Sequence, residues 1–152
     1  MNADFINPFL NATVNVLSMM AFVKPTPGKP FIKKDKKAHG DISGVIGMTG
    51  SSKGVVVISL SREAAIKIVS SMLGEEHKEL NEGVSDAIGE ITNMISGDAR
   101  RELAAKGYIF EAGLPSIIIG PGHEIESITK GPTVAIPFTI DDAKFVVETA
   151  FD

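Results

Sequence analysis

Between residues 81 and 106 the sequence carries Asp86, Glu90, Asn93 and Gly97, at spacings of four, three and four. In a helix those intervals stack side chains one turn above another on a single face, because positions i, i+3 and i+4 are neighbours. A carboxylate accepts charge-assisted hydrogen bonds, and a carboxamide offers both a donor and an acceptor without charge. Glu90 and Asn93 side by side therefore form a pair able to engage a polar or charged partner. An ordinary solvated face has the same pattern, so periodicity leaves both readings open. Two features favour a working face. Asn is a mediocre mid-helix residue, because its side chain competes for backbone hydrogen bonds. Gly89 and Gly97 also stand where alanine would be more stable by about 1 kcal/mol each, which leaves room for a close partner surface.

The remainder of this segment explains what would hold such a face in place. Val84, Ala87, Ile88, Ile91, Met94, Ile95, Ala99 and Leu103 recur at helical spacing on the opposite side. At about 100° per residue they form a stripe that lies, over most of its length, within roughly 60° to either side of its centre. Asn81 begins the helix, which runs to about Lys106 and ends at Gly107, with a bend expected near Gly97. Two further helices are predicted. One covers residues 3–22, with Asn2 or Asn7 as its cap, and is ended by Lys24-Pro25-Thr26-Pro27-Gly28-Lys29-Pro30. The other opens at Ser61 with an acidic first turn and stops at Gly74.

Strands are predicted at 31–36, 41–49, 54–60, 108–112, 116–119, 124–129, 133–139 and 143–151, with Gly50-Ser51-Ser52-Lys53 as a hairpin turn. Helices and strands come in blocks rather than strict alternation, so the expected class is α+β with a mostly antiparallel sheet. A length of 152 residues fits one domain, 1–152. Met19, Met20, Met48, Met72 and Met94 stand where core fillers would.

Composition narrows the function classes. A net charge of -4 argues against a nucleic-acid binder. The basic cluster Lys33, Lys34, Lys36 and Lys37 lacks interleaved aromatics for base stacking and reads as a solvated strand or loop. The chain has no cysteine, which excludes disulfides and thiolate metal sites and suits a reducing cytoplasm. Neither a secretory signal nor an apolar run of spanning length is evident, so a cytoplasmic location is expected. The stretch Gly47-Met-Thr-Gly50-Ser-Ser-Lys53-Gly54 lacks the Gly-Lys-Ser/Thr of a phosphate loop, and Val55-Val56-Val57 after it favours a strand. His39, His77 and His123 lie in separate segments, so no metal site is expected. No Gly-x-Ser-x-Gly elbow points to a serine hydrolase.

The run Asp86-Ala-Ile-Gly-Glu90-Ile-Thr-Asn93, followed by Pro115, closely resembles the signature of the CheC/CheX/FliY phosphatases of bacterial chemotaxis. The helix–strand order and the small residues after Asn93 agree with it, and the resemblance covers essentially the whole chain. CheC-type members carry two copies of the site and CheX-type members one. Here the first helix offers Asn11, Asn15 and Ser18 at the same spacing, without the carboxylate, which resembles a repeat whose first site is absent or decayed. FliY members add a switch-protein domain, for which this length leaves no room. The CheX type is the better match.

The resemblance implies an α+β fold with long helices packed on one face of the sheet, and a homodimer pairing through sheet edges. The strand Phe145-Val146-Val147-Glu148-Thr149 would be an aggregation-prone edge unless paired, which favours such a dimer. It also implies an enzyme that dephosphorylates the aspartyl-phosphate of a CheY-like receiver domain. Asn93 would orient the hydrolytic water, and Glu90 would dock against the receiver's lysine. Asp86 and Gly97 would support the interface, and Pro115 would shape the turn beneath the site. Mg²⁺ would be the receiver's, with no cofactor of the chain's own. The alternative is a non-catalytic binding module that captures a receiver or another signalling protein without turnover.

Overall fold

The computed structural model describes residues 3–125 and 129–152. In chain order its elements are α1 (Ala3–Met20), β1 (Thr26–Pro27), β2 (Phe31–Lys33), β3 (Ile42–Gly50), β4 (Gly54–Leu60), α2 (Arg62–Leu73), α3 (Glu82–Ala105), β5 (Phe110–Ala112), β6 (Ser116–Ile119), β7 (Thr133–Ile140) and β8 (Ala143–Phe151). The strands form one sheet in the order β1-β7-β8-β4-β3-β5, with β2 also pairing β7 and β6 also pairing β3. Every named pair is antiparallel. The α+β class with helices on one face is the architecture found.

Strand alternation assigns the two faces. Val56, Ile58 and Leu60 of β4 share a core with Phe9, Leu17, Ile68, Ile88 and Ile95 of the helices, whereas Val55 and Val57 pack with Ala150 on the other side. That second side is covered by chain rather than by helices. Ala38 N–H donates to His123 O, Ile125 N–H donates to Lys36 O, and Lys37 bridges Glu124. With cover on both faces, all of β4 is buried, which matches its unbroken apolar run.

Helix ends follow local chemistry. Ser61 caps α2 by accepting from Ala64 N–H at 3.1 Å, and Gly74 ends it at φ 67°. Asn81 caps α3 by accepting from Val84 N–H at 3.0 Å. At the other end Gly107 is left-handed, φ 94°, and Tyr108 N–H returns to Leu103 O at 3.0 Å. That closure uses residues 107–108, so β5 starts two residues later than expected. α3 continues unbroken through Gly97.

Several expectations need correction. Of the two proposed caps for α1, Asn2 lies outside the described residues, and Asn7 sits inside the helix just before Pro8. Lys33 is not solvated. It is buried, its Nζ 3.0 and 3.1 Å from the two carboxylate oxygens of Glu148. Such a pair holds in the interior because each charge is matched; either alone would cost several kcal/mol. The expected strand at 124–129 is represented by the bridge at Glu124, and residues 126–128 lie outside the described residues. β8 is not an edge: β4 and β7 flank it along its length. The edges belong to the short strands β1, β2, β5 and β6, so the argument for a dimer from an exposed β8 falls. Met19 is 74% exposed and is no core filler.

α1 ends in a left-handed residue, but that residue is Phe22, at φ 55° and 79% exposed, with Val23 N–H donating to Leu17 O. Left-handed backbone costs an L-residue about 1–2 kcal/mol, and the exposed ring recovers little by burial. Phe22→Gly should therefore stabilise the fold by about 1 kcal/mol, or about 2–4 °C in melting temperature for a domain of this size. A thermal melt followed by circular dichroism checks this.

Candidate functional site

α3 exists as a helix because its stripe is buried and its start is capped, and the stripe sets which way the other face looks. Val84, Ala87, Ile88, Ile91, Ile95, Ala99 and Leu103 are buried, whereas Asp86, Glu90 and Asn93 are exposed and Gly97 is half-buried. The structure thus brings the four predicted helix residues together on one solvent-facing strip. Glu90 and Asn93 are about 4.5 Å apart along the axis at about 1.5 Å rise per residue. Among the described residues, no hydrogen bond or ion pair engages the side chains of Asp86, Glu90 or Asn93. They are available to a partner.

Three contacts hold that strip in place. Beneath it, Thr92 is fully buried and its Oγ1 donates to Ile88 O at 2.7 Å. A Cβ at Gly44 of β3 would run into the Thr92 side chain, so glycine there lets the helix lie directly on the sheet. On one flank, a Cβ at Gly89 would stand 3.6 Å from Ile117 Cδ1 and 3.9 Å from Pro115 Cγ. Pro115 therefore reaches α3 at the residue before Glu90. On the other flank α1 lies alongside, with Asn11 Nδ2 donating to Glu102 Oε1 at 3.2 Å.

The two helix glycines separate. Gly89 is buried and serves internal packing, so it leaves no room for a partner. A Cβ at Gly97 would meet only Arg100 Nη2, at 3.7 Å, and that position is open. On α1, Asn15 is exposed, Ser18 is half-buried, and Asn11 is committed to Glu102. No carboxylate stands between Asn11 and Ser18 on α1, and the one that Asn11 meets belongs to α3.

The histidines yielded one contact that residue spacing does not reveal. His123 Nδ1 donates to Gly120 O, and its Nε2 shares a hydrogen bond with Ser43 Oγ at 2.6 Å; Ser43 and Ser59 hydroxyls are 2.7 Å apart. Ser43 is fully buried, so this Ser–His pair cannot meet a substrate and instead fastens the covering loop to the sheet. Among the described residues no cluster of three or more metal-ligating side chains occurs, and no helix is long and apolar enough to cross a membrane.

Comparison with known proteins adds what geometry alone leaves open. The family model described as chemotaxis phosphatase CheX matches residues 42–139, a span that includes β3, α3 and Pro115. The chain belongs to the CheX family. A curated relative, the CheY-P phosphatase CheX of Thermotoga maritima, is 28% identical over 141 residues, covering 92% of this chain and 90% of its own. A chemotaxis protein CheX from Desulfovibrio desulfuricans superposes with a TM-score of 0.91 at 42% identity, covering 97% of this chain and 99% of that one. CheX from Borrelia burgdorferi, solved as a CheX–CheY–BeF3–Mg complex, gives 0.84 at 29% identity over 99% of each chain.

The close approach at Gly44 is the support for the strip that the sequence reading missed, although a glycine inside a strand is a signal for it. Gly44→Ala should destabilise the fold by about 1–3 kcal/mol through overpacking against Thr92. A lowered urea midpoint at unchanged slope is the expected outcome. A midpoint equal to wild type would mean that α3 can rise from the sheet without cost.

Proposed function

We propose that this chain hydrolyses the aspartyl-phosphate of a CheY-like receiver domain, working from the Glu90–Asn93 strip of α3. The observation that carries the reading is a carboxylate and a carboxamide, both unengaged, one turn apart on a braced helix. Family membership supports it, because one relative is a CheY-P phosphatase and another is seen in complex with CheY.

An aspartyl-phosphate is an acyl phosphate and is already reactive toward water. Its hydrolysis depends mainly on placing water in line with the P–O bond and on matching charge at the phosphoryl oxygens. The receiver supplies the phosphorylated Asp, the Mg²⁺ and a lysine. Asn93 then positions the water, since its amide both donates and accepts and carries no charge to repel the phosphoryl group. Glu90, if aimed at that group, would be repelled. One turn away it serves better as a charge-assisted acceptor for the receiver's lysine. Asp86 and Gly97 lie further along the same strip and border the docked surface, while Pro115 supports the helix from the flank. A cytoplasmic location accompanies such a partner. Two copies of the chain would pair along the β1–β2 edge, where Phe31 and Ile32 are exposed. Light scattering that reads only monomer would remove that last element.

The test is phosphate release from a CheY-type receiver phosphorylated by a small-molecule donor with Mg²⁺. Wild type should accelerate release. Asn93→Ala should lower kcat by about 10²-fold, the scale of losing a positioned reactant, with little loss of binding. Glu90→Ala should weaken docking by about tenfold or more, since hydrogen bonds to charged groups are worth about 1.5–3 kcal/mol, and should slow turnover as well. A fully active Asn93→Ala would overturn the mechanism. Binding without acceleration, across several receivers, would replace the enzyme with a binding module.

A further inference from the structure

The edge strand beside α3 carries one residue too many. Ala112 of β5 pairs with Met48 and Ser116 of β6 pairs with Val45, so four steps on the edge oppose three on β3. The surplus falls in Gly113-Leu114-Pro115, a bulge of the kind that re-aims a side chain at a sheet edge. Both sides of the bulge are held. Gly113 N–H donates to Gly47 O at 3.0 Å, and Pro115, its φ restricted by its ring, lies against α3 at Gly89. Between them Leu114 is 90% exposed, the highest value among the large apolar side chains described.

A lone exposed leucine needs no explanation. This one differs in its place. Gly89 directly precedes Glu90 and stands one turn before Asn93, and only Pro115 separates Leu114 from the contact with Gly89. A protein docked on this strip covers about 800 Å² of each partner, a patch roughly 16 Å in radius. Adjacent Cα atoms are about 3.8 Å apart, so the Leu114 backbone lies within that radius of Glu90.

We infer that Leu114 is a docking and specificity residue, an apolar anchor that the phosphorylated receiver covers as Glu90 and Asn93 reach its phosphorylated Asp. The inference rests on the receiver reading above and adds a requirement to it. An accepted receiver presents an apolar surface beside its phosphorylation site, and a receiver with charge there is rejected, because it would lose hydration against Leu114 without gaining a partner.

The experiment titrates wild type, Leu114→Ser and Leu114→Met with a CheY-type receiver activated by beryllium fluoride and Mg²⁺. Phosphate release is measured in parallel with the phosphorylated receiver. Leu114→Ser should weaken Kd and raise KM by about tenfold, which corresponds to ~1.4 kcal/mol, with kcat and melting temperature unchanged. Leu114→Met should recover most of the affinity. A Leu114→Ser Kd within about twofold of wild type would overturn the inference. A Leu114→Met as weak as the serine variant would do the same, because a second apolar side chain should satisfy the contact. The two readings fail differently. Leucine-dependent binding without phosphate release sinks hydrolysis and keeps the anchor. Release that is indifferent to Leu114 keeps hydrolysis and sinks the anchor, and absence of any receiver binding sinks both.

Discussion

The close approach of α3 to β3 at Gly44 governs the geometry of everything above it. A helix on a sheet normally stands off by the depth of its side chains. Here one strand residue has none, and the buried Thr92 occupies the space. Thr92 lies between Glu90 and Asn93 in sequence, about 160° around the helix from Glu90 and about 100° from Asn93. Pinning it inward therefore presents the pair outward. Because successive helix residues turn by about 100°, rolling α3 by a single position would carry Asn93 toward the core. The flanking contacts with Pro115, Ile117 and α1 close the remaining freedom.

For the proposed hydrolysis this bracing matters, because chemistry on an acyl phosphate draws mainly on position. A water placed about 1 Å from its productive site can lose about 10²-fold in rate. An exposed side chain on a loop would be a poor instrument for that, whereas one on a helix fixed from three sides is a good one. The arrangement also separates the proposed site from stability. Asp86, Glu90 and Asn93 make no internal bonds among the described residues, so the fold is held by other groups, such as the stripe of α3, the two-sided burial of β4 and the matched pair Lys33–Glu148.

The far side of the sheet shows the same economy by other means. On that face, where the described residues form no helix, Lys33–Glu148 joins strand β2 to strand β8, and the His123–Ser43–Ser59 contacts tie the covering chain around His123 to β3 and β4. Buried polar groups of this kind are tolerated when each finds its partner, and a partner removed would leave an uncompensated group. Their presence explains why residues that look solvated or isolated in sequence are neither.

What could be read from the amino-acid sequence alone was whatever depends on near neighbours. The caps Ser61 and Asn81, the closing glycines Gly74 and Gly107, the hairpin at 50–53 and the shared face of Asp86, Glu90, Asn93 and Gly97 all follow from spacings of a few residues. Contacts between distant segments did not follow, because no local pattern encodes them. Phe145 to Thr149 would be an aggregation-prone edge if left unpaired, and only the pairing of β8 with β4 and β7 makes it central. Gly89 and Gly97 are alike by propensity, and only the position of Pro115 and Ile117 makes one internal and the other open. Lys33 became buried because Glu148 lies 115 residues away in sequence and 3.0 Å away in space. Local backbone preference thus determined which residues share a face, and tertiary packing decided which of those faces meets solvent, since burial is a property of what the rest of the chain brings alongside.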